Sequence, residues 1–158
     1  MAATHADRPE VVKMLIEAGV DIDILDNFHD NVFLYAGAEG RLEILRLAVE
    51  AGASTKIVNR FGGSALIPAA ERGHVEVVRE ILLTTDVDVN HINKLGWTAL
   101  LEAIILSDGG PRNQEIVGLL IENGADIGIA DKDGVTPLEH ARSRNAVEIE
   151  RMLLAAAG

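Results

Sequence analysis

The chain has 158 residues, of which 48% are apolar, 25% charged and 3% aromatic, a balance that suits one folded domain with an aliphatic core and argues against a disordered chain or two independent domains. The absence of cysteine excludes a disulfide framework, a thiolate metal site and a cysteine nucleophile. The net charge of −11 argues against binding to nucleic acid or to an anionic membrane, because both need a positive surface.

Neither a membrane span nor a secretory signal is visible in the sequence. No apolar run approaches the roughly 18 residues that a spanning helix requires. The start MAATHADRPEVV lacks a basic region followed by an apolar stretch. We therefore expect a soluble protein with a cytoplasmic location.

One helical pattern recurs along the chain. The stretches EVVKMLIEAG, LEILRLAVEAGA and EIVGLLIENGAD share their apolar spacing, which predicts amphipathic helices. Glu10, Glu43 and Glu76 are separated by 33 residues, the next step to Glu115 is 39, and the last step to Glu148 is again 33. The sequence therefore predicts an internal repeat with one enlarged unit.

Each unit has further signals for where its helices begin and end. The recurring helix is expected to end at a left-handed glycine, at Gly19, Gly52 and Gly124, whereas Thr85 departs from this rule. A second, shorter helix precedes it, and its start is predicted by a capping hydroxyl at Ser64, Thr98 and Thr136. Pro137 at the first helical position strengthens the last of these.

Turn-rich segments separate the units. They read DNFHDN, NRFGGS, NKLGWT and DKDGVT, and they begin at Asp26, Asn59, Asn93 and Asp131. Their Asx and glycine content favours tight reversals, which predicts projecting loops shaped like hairpins. His29 occupies the position that glycine has in the other three, and histidine tolerates the left-handed conformation required there.

These units resemble the ankyrin-repeat family, whose repeat reads roughly DxxGxTPLHxAxxxGHxEIVxLLLxxGAD with a period of about 33 residues. DKDGVTPLEHA followed by VEIERMLL is the best match, and NKLGWTALLEA with QEIVGLLIENGAD is nearly as close. The resemblance implies an all-α solenoid of stacked helix-turn-helix units with projecting β-hairpin-like loops. It also implies a single domain over residues 1–158, with a truncated repeat at about 1–25 and full repeats at about 26–58, 59–92, 93–130 and 131–158.

The enlarged unit contains five extra residues within ILSDGGPRNQEI, between Leu106 and Ile116. Gly109, Gly110 and Pro111 make this segment a loop that cannot continue the preceding helix. We expect the insertion to extend the first helix of that repeat and to present a mobile loop near the concave edge. Neutral variation in length is the alternative.

The sequence contains no recognisable catalytic or metal-binding motif. It has no phosphate-binding loop, no GxGxxG, HExxH or GxSxG, and no calcium-type acidic loop. The histidines form no i, i+4 pair, and His74 lies where the family pattern itself has histidine. We therefore expect no enzymatic activity, no cofactor and no bound metal.

Candidate binding residues lie where the family makes its variable contacts, at the loop tips and along the outward side of the short helices. Phe28, Phe61 and Trp97 are three of the five aromatic residues, and together with Leu95 they are the proposed anchors, because aromatic side chains are enriched in interface hot spots. The alternative is that the rings pack on neighbouring loops and stiffen the row. The remaining candidates are Asp30, Arg60, Lys94, Lys132 and Asp133 near the tips and Glu39, Glu71, Arg72 and Arg144 on the short helices.

The sequence therefore predicts a non-enzymatic module that binds another protein through its concave face and loop tips. The mixed acidic strip beside an apolar row suggests a partner surface with some basic character. One alternative is a small-ligand or enzymatic site in the groove or at Gly109 and Gly110. The other is self-assembly through the N-terminal face, although a monomer is expected.

Overall fold

The computed structural model describes residues 1–158 and contains ten α-helices and no β-strand. The helices are α1 (Ala2–His5), α2 (Pro9–Glu17), α3 (Val32–Ala38), α4 (Leu42–Glu50), α5 (Leu66–Glu71), α6 (Val75–Thr84), α7 (Ala99–Ile105), α8 (Pro111–Glu122), α9 (Pro137–Ser143) and α10 (Val147–Ala156). None of them is both long enough and apolar enough to cross a membrane.

The helices pack as five successive pairs in two rows. The odd-numbered helices contact one another in the order α1, α3, α5, α7, α9, and the even-numbered helices do so from α2 to α10. Each pair is also packed within itself. The expected all-α solenoid of helix-turn-helix units is confirmed.

One apolar core runs through the whole stack, from Val12 in α2 to Leu153 in α10. Its members are aliphatic with one exception, the fully buried Phe33 in α3. A single repeat cannot enclose its own apolar stripe, so the core forms only where neighbouring units stack. The N-terminal end of the stack leaves apolar side chains exposed, including Met14 at 66% and Ile24 at 56%.

The predicted glycine helix ends are confirmed. Gly19, Gly52 and Gly124 follow α2, α4 and α8 with φ of 78°, 77° and 89°, the left-handed region that glycine enters without a Cβ penalty. Thr85 follows α6 in an extended conformation, and its hydroxyl donates to the Ile81 carbonyl at 2.7 Å. At this helix end the Thr85 side chain therefore supplies a hydrogen bond to a carbonyl of the last turn.

Two of the three predicted hydroxyl caps are confirmed. Thr98 accepts from the Leu101 N–H, and Thr136 forms a complete capping box with Glu139. The cap predicted at Ser64 is wrong, because the Ile67 N–H donates to the Ser64 main-chain carbonyl at 3.3 Å. The Ser64 hydroxyl is left buried without a hydrogen-bond partner.

The loops between units have the predicted hairpin-like shape. In each, the amide of the first residue donates to the carbonyl four residues later at 3.0 Å, as between Asn93 and Trp97. The side chain of the same first residue accepts two further amides of the loop. His29 has φ of 67°, so its expected left-handed conformation is confirmed.

The insertion does not extend the first helix of its repeat, and that expectation is wrong. α7 has seven residues, the same length as α3 and α9. Pro111 instead begins α8, which at twelve residues exceeds the other helices. Proline is suited to this position because its fixed φ matches the helix and its missing N–H would have no partner there.

Candidate functional site

A groove of about 430 Å³ runs along the loops and the short odd-numbered helices of three successive repeats. Three of the four predicted anchors line it: Phe28, Phe61 and Leu95, which are 55%, 52% and 52% exposed. Each comes from the tip of a different loop. The helices α3, α5 and α7 contribute further lining residues, so the repeat brings together side chains that lie far apart in the sequence.

Arg60 lies between two of these aromatic rings. Its guanidinium carbon is 5.0 Å from the centre of the Phe28 ring and 4.7 Å from that of Phe61. Both distances are typical of cation–π contacts. The stack links neighbouring loop tips while about half of each ring stays exposed. Stiffening of the loop row and availability for binding are therefore both compatible with this geometry.

Apart from Leu95, the predicted residues of the two later loops do not line the groove. Trp97 is half-buried, and its amide donates to Asn93 Oδ1 at 3.1 Å. Lys94 Nζ donates to the Arg60 carbonyl at 2.9 Å, and Lys132 Nζ donates to the Lys94 carbonyl. The two lysines thus connect successive loops, whereas Asp133 is exposed at the tip of the last one.

Some of the charged residues predicted on the short helices already bind other groups of the protein. Arg72 forms an ion pair with Glu39 and donates to the Ala38 carbonyl at 2.8 Å. Arg144 donates to the Ser107 carbonyl at 2.8 Å and so holds the loop of the insertion. Asp30 and Glu71 also line the groove, and their carboxylates form no ion pair. Burial and the nearby Asp26 raise the pKa of Asp30.

Glu102 in α7 is a groove residue that the sequence analysis missed. It is only 5% exposed, and its Oε1 accepts from Asn93 Nδ2 at 2.8 Å. Burial, and next the negative charge of Glu71, raise the pKa of Glu102 to about 7. The available signal was a lone acid inside the otherwise apolar helix ALLEAII. Acids in such surroundings are seldom buried unless paired.

Two histidines at opposite ends of the stack contact loop carboxylates. His140 Nε2 is 2.7 Å from Asp131 Oδ2, and it follows Asp131 by nine residues, as Glu102 follows Asn93. His5 Nε2 is 3.2 Å from Asp26 Oδ2, and its ring lies 4.3 Å from that of Tyr35. Hydrogen bonds from backbone amides and from His140 lower the pKa of Asp131. These histidines join each loop to a neighbouring helix, and no group of three potential ligands forms a metal site.

The chain matches the family model for ankyrin repeats (3 copies) over residues 1–91, 33–131 and 80–158. It is 47% identical over 145 residues to the ankyrin repeat protein YahD of Escherichia coli K12, covering 92% of this chain and 72% of that protein. An ankyrin repeat domain from Acinetobacter baumannii AYE has a TM-score of 0.97 at 56% identity, over 99% of this chain and 80% of that one. The ankyrin repeat protein EF0377 has a TM-score of 0.92 at 42% identity, over 97% and 77% of the two chains. The chain belongs to the ankyrin-repeat family.

Proposed function

We propose that this ankyrin-repeat protein is a non-enzymatic module that binds a partner protein through the groove and its loop tips. The supporting observation is that Phe28, Phe61 and Leu95 line one continuous surface while remaining about half exposed. Apolar side chains gathered at one site and rimmed by charge are typical of protein interfaces. Family membership agrees with this function, since ankyrin repeats generally mediate contacts between proteins.

The chemistry of the groove favours binding over catalysis. Its lining combines exposed apolar side chains with carboxylates and two arginines. It lacks a nucleophile held by a general base, which covalent catalysis by a serine or cysteine would need. The histidine–carboxylate contacts are those of His5 with Asp26 and of His140 with Asp131, where they connect loops to helices.

The proposal makes a prediction for partner capture. We expect a double variant, Phe28→Ala with Phe61→Ala, to lose partners that the wild type retains from a lysate of the source organism, because truncating hot-spot rings typically weakens binding by about 2 kcal/mol or more. Leu83→Ala is the matched control, because Leu83 is an apolar residue of α6 that is 70% exposed and lies outside the groove. Pull-down with quantitative mass spectrometry measures the difference.

Circular dichroism on the same samples shows whether each variant is folded. Equal retention by the wild type and the double variant would place the contact on another surface. Capture of nothing but further copies of this chain would favour the assembly alternative.

A further inference from the structure

The charges that line the groove do not balance. Its two cations are already engaged, Arg72 by Glu39 and Arg60 by the two phenyl rings. Three of its four carboxylates, those of Asp30, Glu71 and Glu102, form no ion pair, although the charges of Arg60 and Arg72 attract that of Asp30. The groove of the free protein therefore has an excess of negative charge beside its apolar anchors.

Glu102 is the most unusual of these groups. The residue is only 5% exposed, and yet it lines the groove. Its Oε1 is satisfied by Asn93, whereas Oε2 accepts no hydrogen bond within the protein. Asn93 Oδ1 accepts the amides of Leu95 and Trp97, and Asn93 Nδ2 donates to Glu102 Oε1 and not to Oε2. A carboxylate in such a position is costly unless a donor reaches it.

The surroundings suit a long cationic side chain. Glu71 and Glu102 line the same groove from the adjacent helices α5 and α7, and the charge of Glu71 raises the pKa of Glu102. A cation between them would face two carboxylates. Leu95 and Leu106, both about half exposed, line the same groove and offer apolar surface for a methylene stem. Lysine and arginine bury such stems while their charged ends seek acceptors.

We propose that the groove binds a lysine or arginine side chain of the partner protein, with its charged end between Glu71 and Glu102. This inference rests on the proposed function, because it names the chemistry of the partner that this surface recognises. The bound cation would donate to Glu102 Oε2 and relieve the repulsion between the two carboxylates. Hydrogen bonds of this kind, in which both groups are charged, are stronger than neutral ones.

The test uses a phage library of random 12-residue peptides, selected on the folded wild-type protein at pH 8. We expect the enriched peptides to share one lysine or arginine next to apolar residues. For a synthetic copy of an enriched peptide, we expect Glu102→Gln to raise Kd about tenfold, measured by fluorescence anisotropy. Glu122→Gln should leave Kd unchanged, because Glu122 is an exposed acid at the end of α8 outside the groove.

A double-mutant cycle shows whether the two charges meet. The basic residue of the peptide is replaced by methionine, and both peptides are measured on the wild type and on Glu102→Gln. If the pair is in contact, the double change should raise Kd by less than the product of the two single factors, which is the value expected for independent effects. Independent effects, or enriched peptides that share no basic residue, would overturn the inference.

The proposed function is tested separately by measuring binding of the selected peptides to the double variant Phe28→Ala with Phe61→Ala. Peptides that lose binding on this variant but share no basic residue would overturn the inference alone. A library that yields no peptide dependent on these two rings would contradict both.

Discussion

Replacing Glu102 by glutamine should make the protein more stable at pH 8 than the wild type. The pKa of Glu102 is raised from the ordinary 4.5 to about 7 by burial and by Glu71. Below pH 4.5 the carboxyl is neutral in both the folded and the unfolded chain, so it costs nothing. As the pH rises towards 7 the unfolded chain ionises first, and the free energy of unfolding falls by up to about 1.4 kcal/mol per pH unit.

The penalty is complete above pH 7 and amounts to about 3 kcal/mol. Glutamine carries no charge, and its carbonyl can still accept from Asn93. Between pH 5.5 and pH 8 we therefore expect the stability of Glu102→Gln relative to the wild type to increase by about 2 kcal/mol. Burying the glutamine amide costs the same at both pH values, so that cost cancels when the two relative stabilities are compared.

Urea unfolding followed by circular dichroism at the two pH values measures this change. Glu122→Gln serves as the control, because Glu122 is exposed and should give the same difference from the wild type at both values. A relative stability of Glu102→Gln that does not change with pH would mean that the carboxyl ionises as readily as one in water.

Replacing Phe33 by alanine should cost about 3–5 kcal/mol of unfolding free energy, the usual range for a buried phenylalanine. Phe33 is fully buried in α3 and is the one aromatic residue of the core. Its removal leaves a cavity that the flanking helices can fill only by moving closer together. The matched controls are Phe28→Ala and Phe61→Ala, since these rings are about half exposed.

Urea unfolding at one pH compares the three phenylalanine variants. We expect losses of less than about 1 kcal/mol for the two loop rings, where substitution leaves no enclosed cavity. A loss above about 2 kcal/mol for either loop ring would assign it to packing. A loss below about 1 kcal/mol for Phe33 would contradict its place in the core.

Much of the fold follows from local sequence signals. The 33-residue period, the glycine helix ends and the Asx turns each depend on a few neighbouring residues, and the structure has them where they were predicted. Ser64 shows the limit of such signals. It has the same pattern as Thr98, but a main-chain carbonyl accepts the amide that its hydroxyl was expected to bind.

The insertion shows a second limit. Gly109, Gly110 and Pro111 correctly indicated a break between the two helices of the repeat. Proline, however, is compatible both with the end of one helix and with the start of the next. In the structure the added residues lengthen α8, which packs against α6, α7 and α10. A single sequence does not contain that information.

The candidate site was predictable only in part. The loop-tip residues follow from the repeat register, so Phe28, Phe61 and Leu95 could be expected on one surface. Glu102 could not, because its raised pKa arises from burial between stacked repeats and from the charge of Glu71, which lies in another repeat. Nor could the register show that Lys94 and Lys132 connect neighbouring loops.

Site-specific photo-crosslinking tests most directly whether the groove is the binding surface. A benzoylphenylalanine is introduced at Phe61 in one sample and at Leu83 in another, and both proteins are irradiated in cells of the source organism. We expect a discrete covalent adduct with a partner protein from position 61 and none from position 83. Adducts that form equally at both positions, or at position 83 alone, would contradict the assignment of the groove as the interaction surface.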